Sequence, residues 1–359
     1  MVCECWQHPA SNTKGRPALI AYITFDNLDI NSGAGKVCLH EIAALRKVAG
    51  EVTVLSRPDI QGADKYEFNP FLYDYFAAQL VPKDVDLLHL SCSPTLAILE
   101  TCRPKHYVVN IVAHDLKESI AEHELYYGKG SYPFKHNTDE YLHNLLLAHT
   151  RNADAVLTPS TRSAKWIKEN IETKRVVVIP HGTDLPVNIL PIPNEFRVGY
   201  MGAAGPDKSL PYLFQAWNMY GRDKLVLAGN CCKVVGPSPI VELLGWVNDV
   251  ADFYNQISIY IQPSITEGFG IEILEAMAYG RPVIVSSGAG AADLVEEGVN
   301  GFIVPPRDPQ AILDKILYFK NNPSAIAEMG RHAKQTAANY TWDKIEKRYE
   351  EFYREILAA

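Results

Sequence analysis

The sequence predicts an α/β chain: two facing Rossmann-like domains, each built on a parallel sheet, with a cleft between them. Three observations carry this expectation. Short continuous apolar runs alternate with helix-like segments along the chain, the pattern of βαβ units whose strands are buried on both faces. The alternation lapses once, between Gly182 and Glu195, where Pro186, Pro191 and Pro193 read as a linker, and then restarts. Finally, the apolar run Ile257–Ile261 passes through Pro263-Ser264 into a glycine-flanked turn and a short helix, which places a ligand site at the carboxyl end of a strand.

Taken in order, Ala18 to Phe25 is a strand buried on both faces, followed by a polar loop from Asp26 to Asn31. Ser32-Gly33-Ala34-Gly35 then opens a helix that runs to about Val48. Strand-like runs follow at Val52–Leu55, Leu87–Leu90, Tyr107–Val112, Ala155–Leu157 and Val176–Ile179. Between them lie helix-like segments at Phe71–Leu80, Thr95–Cys102, Tyr141–Arg151 and Ser163–Glu169. After the linker come strand Phe196–Met201, a helix from about Leu210, strands Leu225–Ala228 and Glu242–Leu244, helix Val250–Asn255 and strand Ile257–Ile261. Helices at Ala325–Ala338 and Trp342–Leu357 close the chain. The expected division is a first domain over 1–185, joined again by the terminal helix 342–359, and a second domain over 186–341.

Bulk composition narrows the function. At 359 residues, 47% hydrophobic and 21% charged, the chain fits two soluble domains of common size. A net charge of −8 argues against a polyanion-binding face, so nucleic acid is not an expected partner. No apolar run has the length of a membrane span, and Met1 to Arg16 lacks the apolar stretch of a signal peptide. Seven cysteines without framework spacing suit a reducing cytoplasm. Cys3, Cys5 and His8 have no second ligand pair, so no metal is expected and the segment reads as a tail.

The chemistry concentrates in Glu267-Gly-Phe-Gly-Ile-Glu-Ile-Leu-Glu275. The amides of Gly268, Phe269 and Gly270 stand at a helix start, where donors lack intrahelical partners and the dipole favours an anion. Glu267 and Glu275 flank them, able to accept hydrogen bonds from a polyhydroxylated ligand. A sugar nucleotide satisfies both demands.

Two glutamates at this spacing occur by chance. Bracketed by Pro263-Ser264, Ala276-Met277-Ala278 and Gly280-Arg281-Pro282-Val283, they resemble the signature of the retaining GT-B glycosyltransferases of family 4. The resemblance covers nearly the whole chain and is strongest over Val226 to Arg307. It implies the GT-B architecture, a nucleoside diphosphate sugar donor (UDP- or GDP-linked), transfer of a hexosyl group to an unidentified hydroxyl acceptor, and no cofactor. By the same resemblance Glu275 holds the ribose hydroxyls and Glu267 the donor sugar. Trp246, in Gly245-Trp246-Val247, stands where backbone groups meet the base, with plain packing as the other reading. Lys208 neutralises the diphosphate, and His114, in His114-Asp115, touches the donor sugar. Gly33 and Gly35 lie at the cleft near phosphate and acceptor. The chain departs from the pattern at Ala203, where relatives usually carry a second cation; Lys36 and Arg281 are candidates to replace it.

Ser32-Gly33-Ala34-Gly35 fits a dinucleotide fingerprint poorly, because Cys38 takes the third glycine's place and the glycines come late after the strand. A Walker loop fails as well, since Val37 follows Lys36. His89 reads chiefly as structural, and His181-Gly182-Thr183-Asp184, which resembles the family's domain-boundary turn, as structural with some cleft proximity. The segment from His123 to His136 is open between an acceptor lid, a membrane-surface contact at the inner face and a solvated loop. A sugar-nucleotide epimerase and a non-catalytic sugar-nucleotide binding protein stand as the alternatives to a transferase.

Overall fold

The structure, a computed structural model, describes residues 18–24, 28–30, 32–56, 59, 70–91, 97–111, 121, 124–125, 149–236 and 238–359. Among the described residues, twelve strands form two six-stranded sheets. The first contains β1 (Ile20–Thr24), β2 (Val52–Leu55), β3 (Asp84–Ser91), β4 (Arg103–Asn110), β5 (Ala155–Thr158) and β6 (Val176–Val178), in the order β2-β1-β3-β4-β5-β6. The second contains β7 (Arg197–Met201), β8 (Lys224–Ala228), β9 (Val241–Gly245), β10 (Ile259–Gln262), β11 (Val283–Ser286) and β12 (Gly301–Val304), in the order β12-β11-β10-β7-β8-β9. Every pairing within them is parallel. The strand order therefore reverses beside β1 in one sheet and beside β7 in the other, which opens a crevice at the carboxyl ends of those strands.

Helices cover the sheets: α1 (Gly33–Ala49), α2 (Pro70–Leu80), α3 (Ala97–Thr101), α4 (Thr161–Asn170), α5 (Leu210–Tyr220), α6 (Ala251–Tyr254), α7 (Ile271–Ala278), α8 (Pro309–Asn321), α9 (Pro323–Ala337) and α10 (Trp342–Ala358). Local chemistry sets their ends. Ser32 Oγ caps α1 by accepting from the Gly35 amide at 2.9 Å, and Arg46 and Lys47 meet the negative end of the helix. Asp308 caps α8 through the Ala311 amide, with Pro309 in the first turn. None of the described helices is long and apolar enough to cross a membrane.

Expected and observed elements differ in places, three of which follow. The strand expected from Ile257 starts at Ile259, and Ile257 packs instead against Gly199, where a Cβ would come within 2.6 Å of it. β4 begins at Arg103 rather than Tyr107, because its half-exposed polar residues still pair in register with Asp84 onward. Helix α8, absent from the sequence reading, is the third difference. The helix expected at Tyr141–Arg151 falls almost entirely outside the described residues.

The chain crosses between the sheets twice, and the crossings lie side by side. The Thr183 amide donates to Tyr340 O at 2.9 Å, and the Trp342 amide donates to Thr183 O at 3.3 Å. Beyond this point α10 returns to the first sheet's layer and buries Trp342, Ile345, Tyr349, Phe352, Tyr353 and Ile356 in one core with α1 residues Val37, Ile42 and Leu45. That spacing is one face of an amphipathic helix.

Candidate functional site

The two layers meet at a cleft of about 220 Å³. One wall comes from the first sheet: Gly33, Ala34 and Val37 of α1, with Ser91 and Asn110 at the ends of β3 and β4. The other comes from the second: Lys208, Glu267, Phe269, Gly270 and Glu272. His181, at the first crossing, lines the same space.

Lys208 and Glu267 are 59 residues apart and joined by a hydrogen bond and ion pair from Nζ to Oε2. The fold brings them together by tying their loops: Lys208 ends a 3₁₀ turn after β7, and the Ile265 amide donates to Asp207 O at 2.8 Å. Burial works to lower the Lys208 pKa, but the charges of Glu267, Glu272 and Asp207 outweigh it and hold the ammonium above its ordinary value.

The loop before α7 is fixed by backbone pairing on its far side. The Glu267 amide donates to Gly288 O at 3.0 Å, Gly290 to Glu267 O at 3.0 Å, and Ala291 to Phe269 O at 2.7 Å. Gly268 O is bound from the first layer, by Ser160 Oγ at 2.9 Å. Gly270 takes a φ of +89°, a conformation open to glycine that turns the chain into the helix. With the carbonyls spent, the amides of Gly268, Phe269 and Gly270 have no hydrogen-bond partner among the described residues. Free donors at a helix start give this corner before α7 the chemistry that suits an anion.

Two further carboxyls flank this corner. Burial, and then the charge of Glu267, raise the Glu272 pKa, with Lys208 opposing. Burial and the neighbouring Glu272 push Glu275 up to about 7, against the pull of Lys36 and of Tyr254. Tyr254 donates to Glu275 Oε2 at 3.0 Å, so this carboxylate is oriented before any ligand arrives. Glu275 does not line the cleft itself but stands on the next turn of α7.

The sequence candidates distribute as follows. Gly33 faces the second layer closely, and a Cβ there would lie 3.5 Å from Ile271. The Gly35 amide is used inside the protein, as the capped donor of α1. Trp246 is 61% exposed immediately after β9, which overturns the packing reading of that side chain. Arg281 is 1% exposed and donates to Tyr254 O and Leu190 O, so it secures the linker and faces no ligand. Lys36 pairs with Asp184 at 2.6 Å, across from Glu275. His114, Asp115 and all of the 123–136 loop except Glu124 and Leu125 lie outside the described residues.

Sequence reasoning left out Asn110, Ser91 and Glu272 as cleft residues, whereas His181, read as structural with some cleft proximity, does line the cleft. His181 is buried and held neutral, its pKa lowered to about 4 by desolvation, with its ring edge-on to Phe269 at 4.9 Å. Its Nδ1 has no hydrogen-bond partner among the described residues. The available signal was position: Ser91 and Asn110 close strands of a parallel sheet, where ligands collect.

Comparison with known proteins agrees with this geometry. The pattern of the family described as "Glycosyltransferase Family 4" matches residues 32–186, and that of "Glycosyl transferases group 1" matches residues 195–322. The chain is 29% identical over 216 residues to an uncharacterized glycosyltransferase of Methanocaldococcus jannaschii, a match spanning 56% of this chain and 61% of the relative. Among solved structures, sucrose-phosphate synthase from Thermosynechococcus elongatus superposes with a TM-score of 0.76 at 17% identity, covering 94% of this chain and 99% of that one. HepE of Anabaena in complex with UDP-glucose gives 0.67 at 20% identity, over 94% and 100% of the two chains. The two-sheet α/β architecture is the GT-B fold.

Proposed function

The chain belongs to the group 1 glycosyltransferases of family 4, and on that premise we propose that it moves a hexosyl group from a UDP- or GDP-sugar to a hydroxyl acceptor with retention of configuration. The observation that carries the reading is the Lys208–Glu267 pair in one cleft with Phe269 and Gly270, whose amides have no partner among the described residues. An ammonium and helix-start amides suit a diphosphate, and the carboxylates suit vicinal hydroxyls. HepE, a relative in fold, binds UDP-glucose.

In this reading Lys208 and the amides of Gly268, Phe269 and Gly270 stabilise the charge that develops on the departing diphosphate. Glu267 holds the donor sugar, Glu275 the ribose and Trp246 stands beside the base, and the family resemblance assigns His114 to the sugar as well. The acceptor hydroxyl attacks from the side the diphosphate leaves, and the leaving phosphate oxygen takes its proton. Residues 186–341 form the donor side. Residues 1–185 with the terminal helix form the acceptor side, and the 182–195 linker is the hinge. Lys36, whose charge is felt at Glu275, is the cation placed to compensate for Ala203; Arg281 is spent on the linker.

A thermal-shift panel of UDP-, GDP- and ADP-sugars tests donor binding, since a ligand raises stability by mass action. One donor class should raise the Tm, and no shift with any of them sinks the reading. The anomeric configuration of the transfer product then decides retention. Isomerised donor in the absence of acceptor would point to an epimerase, and binding without turnover to a non-catalytic protein. Lys208→Ala should lower kcat by about a hundredfold or more, as loss of one charge-stabilising group does; unchanged turnover would remove Lys208 from the leaving-group site.

A further inference from the structure

We propose that Asn110 is a further substrate-binding residue, whose Oδ1 accepts a hydrogen bond from one hydroxyl of the hexosyl group seated between it and the Lys208–Glu267 pair. The inference rests on the donor-sugar reading above.

Asn110 closes β4 and lines the cleft on the wall opposite Lys208 and Glu267, within one space of about 220 Å³. It is 3% exposed. Its Nδ2 donates to Oε1 of Glu41, while the Tyr22 hydroxyl donates to Oε2 of the same carboxyl at 2.5 Å. Ionised, above its pKa of about 7, Glu41 accepts and does not donate, so this contact takes the NH₂ end of the amide and leaves the carbonyl end turned elsewhere. That carbonyl oxygen has no hydrogen-bond partner among the described residues. Buried acceptors in native proteins are met, and one left unmet beside a cavity calls for a donor from the cavity.

The chemistry of the two walls selects the donor. The second-sheet wall presents an ammonium and free amides, which answer phosphate oxygens. A hexose held there turns its hydroxyls across the cleft, and a hydroxyl supplies the O–H that Oδ1 lacks. Glu41 lies beneath the wall, fully buried and outside the cleft lining. It acts through Asn110 as a positioning residue, held in turn by Tyr22 of β1 and by Tyr349 of α10.

Calorimetric titration of the full chain with UDP, UDP-glucose, GDP and GDP-mannose, and with analogues carrying fluorine in place of one hexose hydroxyl, tests the inference. Fluorine cannot donate. In the wild type, one fluorinated position should weaken binding by about three- to tenfold, the size of one hydrogen bond between neutral groups. Asn110→Ala should weaken the parent sugar nucleotide by the same factor, show no further loss at that position, and bind the bare nucleotide as the wild type does. Asn110→Ser, too short to reach the hydroxyl, should repeat this and serves if the alanine variant fails to fold. Equal losses for nucleotide and sugar nucleotide, or fluorination costs unchanged by the substitution, would overturn the role. If the wild type binds neither sugar nucleotide, the donor reading itself falls, before any variant is made.

Discussion

Glu41 shows most directly how one residue's surroundings set its behaviour. It is fully buried on α1, ringed by Tyr22, Cys38, His89, Asn110, Tyr349 and Tyr353. Desolvation pushes its pKa from 4.5 to about 7, against the hydrogen bonds of Tyr22, Asn110, Tyr349 and Ser91. A glutamate whose folded pKa is raised binds its proton more tightly in the folded state. Its contribution to stability is therefore full at low pH and declines as the pH rises from 4.5 to about 7. Buried His89, with its pKa lowered to about 3, acts in the opposite sense and loses stability as the pH falls below the ordinary histidine range. Glu41→Gln isolates the first effect: its Tm minus that of wild type should rise across that window, and a flat difference would show that Glu41 does not titrate there. Glu275 carries the residue-scale test of the donor side. Glu275→Ala should weaken nucleotide binding by about 1–3 kcal/mol, the cost of losing a charged hydrogen-bond partner; unchanged affinity in calorimetry would take it out of the ribose site.

At the scale of elements, the loop before α7 is shaped by the segment behind it. Gly290 lies so close that a Cβ there would sit 2.1 Å from Gly268 O and 2.7 Å from Ser160. The glycine thus lets three strands of chain converge: the loop itself, the 288–291 turn and the start of α4. Gly290→Ala should push the Gly268 carbonyl away from Ser160, lower stability by about 1–3 kcal/mol as overpacking does, and misalign the amides. A lowered Tm together with weaker nucleotide binding is the expected result; wild-type values for both would mean the loop absorbs the strain. Sequence alone exposed much of this element, because a glycine turn, a strand end and a helix start are local chemistry. It gave no sign that Gly290, twenty residues beyond the turn, packs beneath it.

For the whole molecule, the decisive feature is that the chain crosses twice and its last helix belongs to the first layer. Gly182 accommodates Trp342 at that junction; a Cβ would lie 2.7 Å from the indole. Among the described residues the contacts across the layers are both polar, as Thr161 with Asp293 and Ser160 with Gly268, and apolar, as Gly33 with Ile271 and His181 with Phe269. The contact of α10 with α1 is of another kind, since the α10 face cannot leave α1 without exposing a row of aromatic side chains. Deleting residues 342–359 should therefore unfold the first layer rather than merely loosen the cleft. Limited proteolysis should then cut preferentially before residue 182, and equal protection of both halves would contradict this. Helix α10 also brings Tyr353 to His89, at 3.0 Å, and Tyr349 to Glu41, so the far end of the chain helps set the cleft wall.

The sequence by itself determined the architecture, the linker and the Glu267–Glu275 stretch, because strand burial, proline spacing and helix-start chemistry act over a few residues. It also marked Lys208 and Glu267 separately. Only the tertiary structure decided that they are partners across 59 residues, and that Asn110 is held by Glu41 across 69. It likewise removed Arg281 from the candidate cations by burying it under the linker. Charge, burial and hydrogen-bond satisfaction depend on what the fold brings close, and no local pattern encodes that distance.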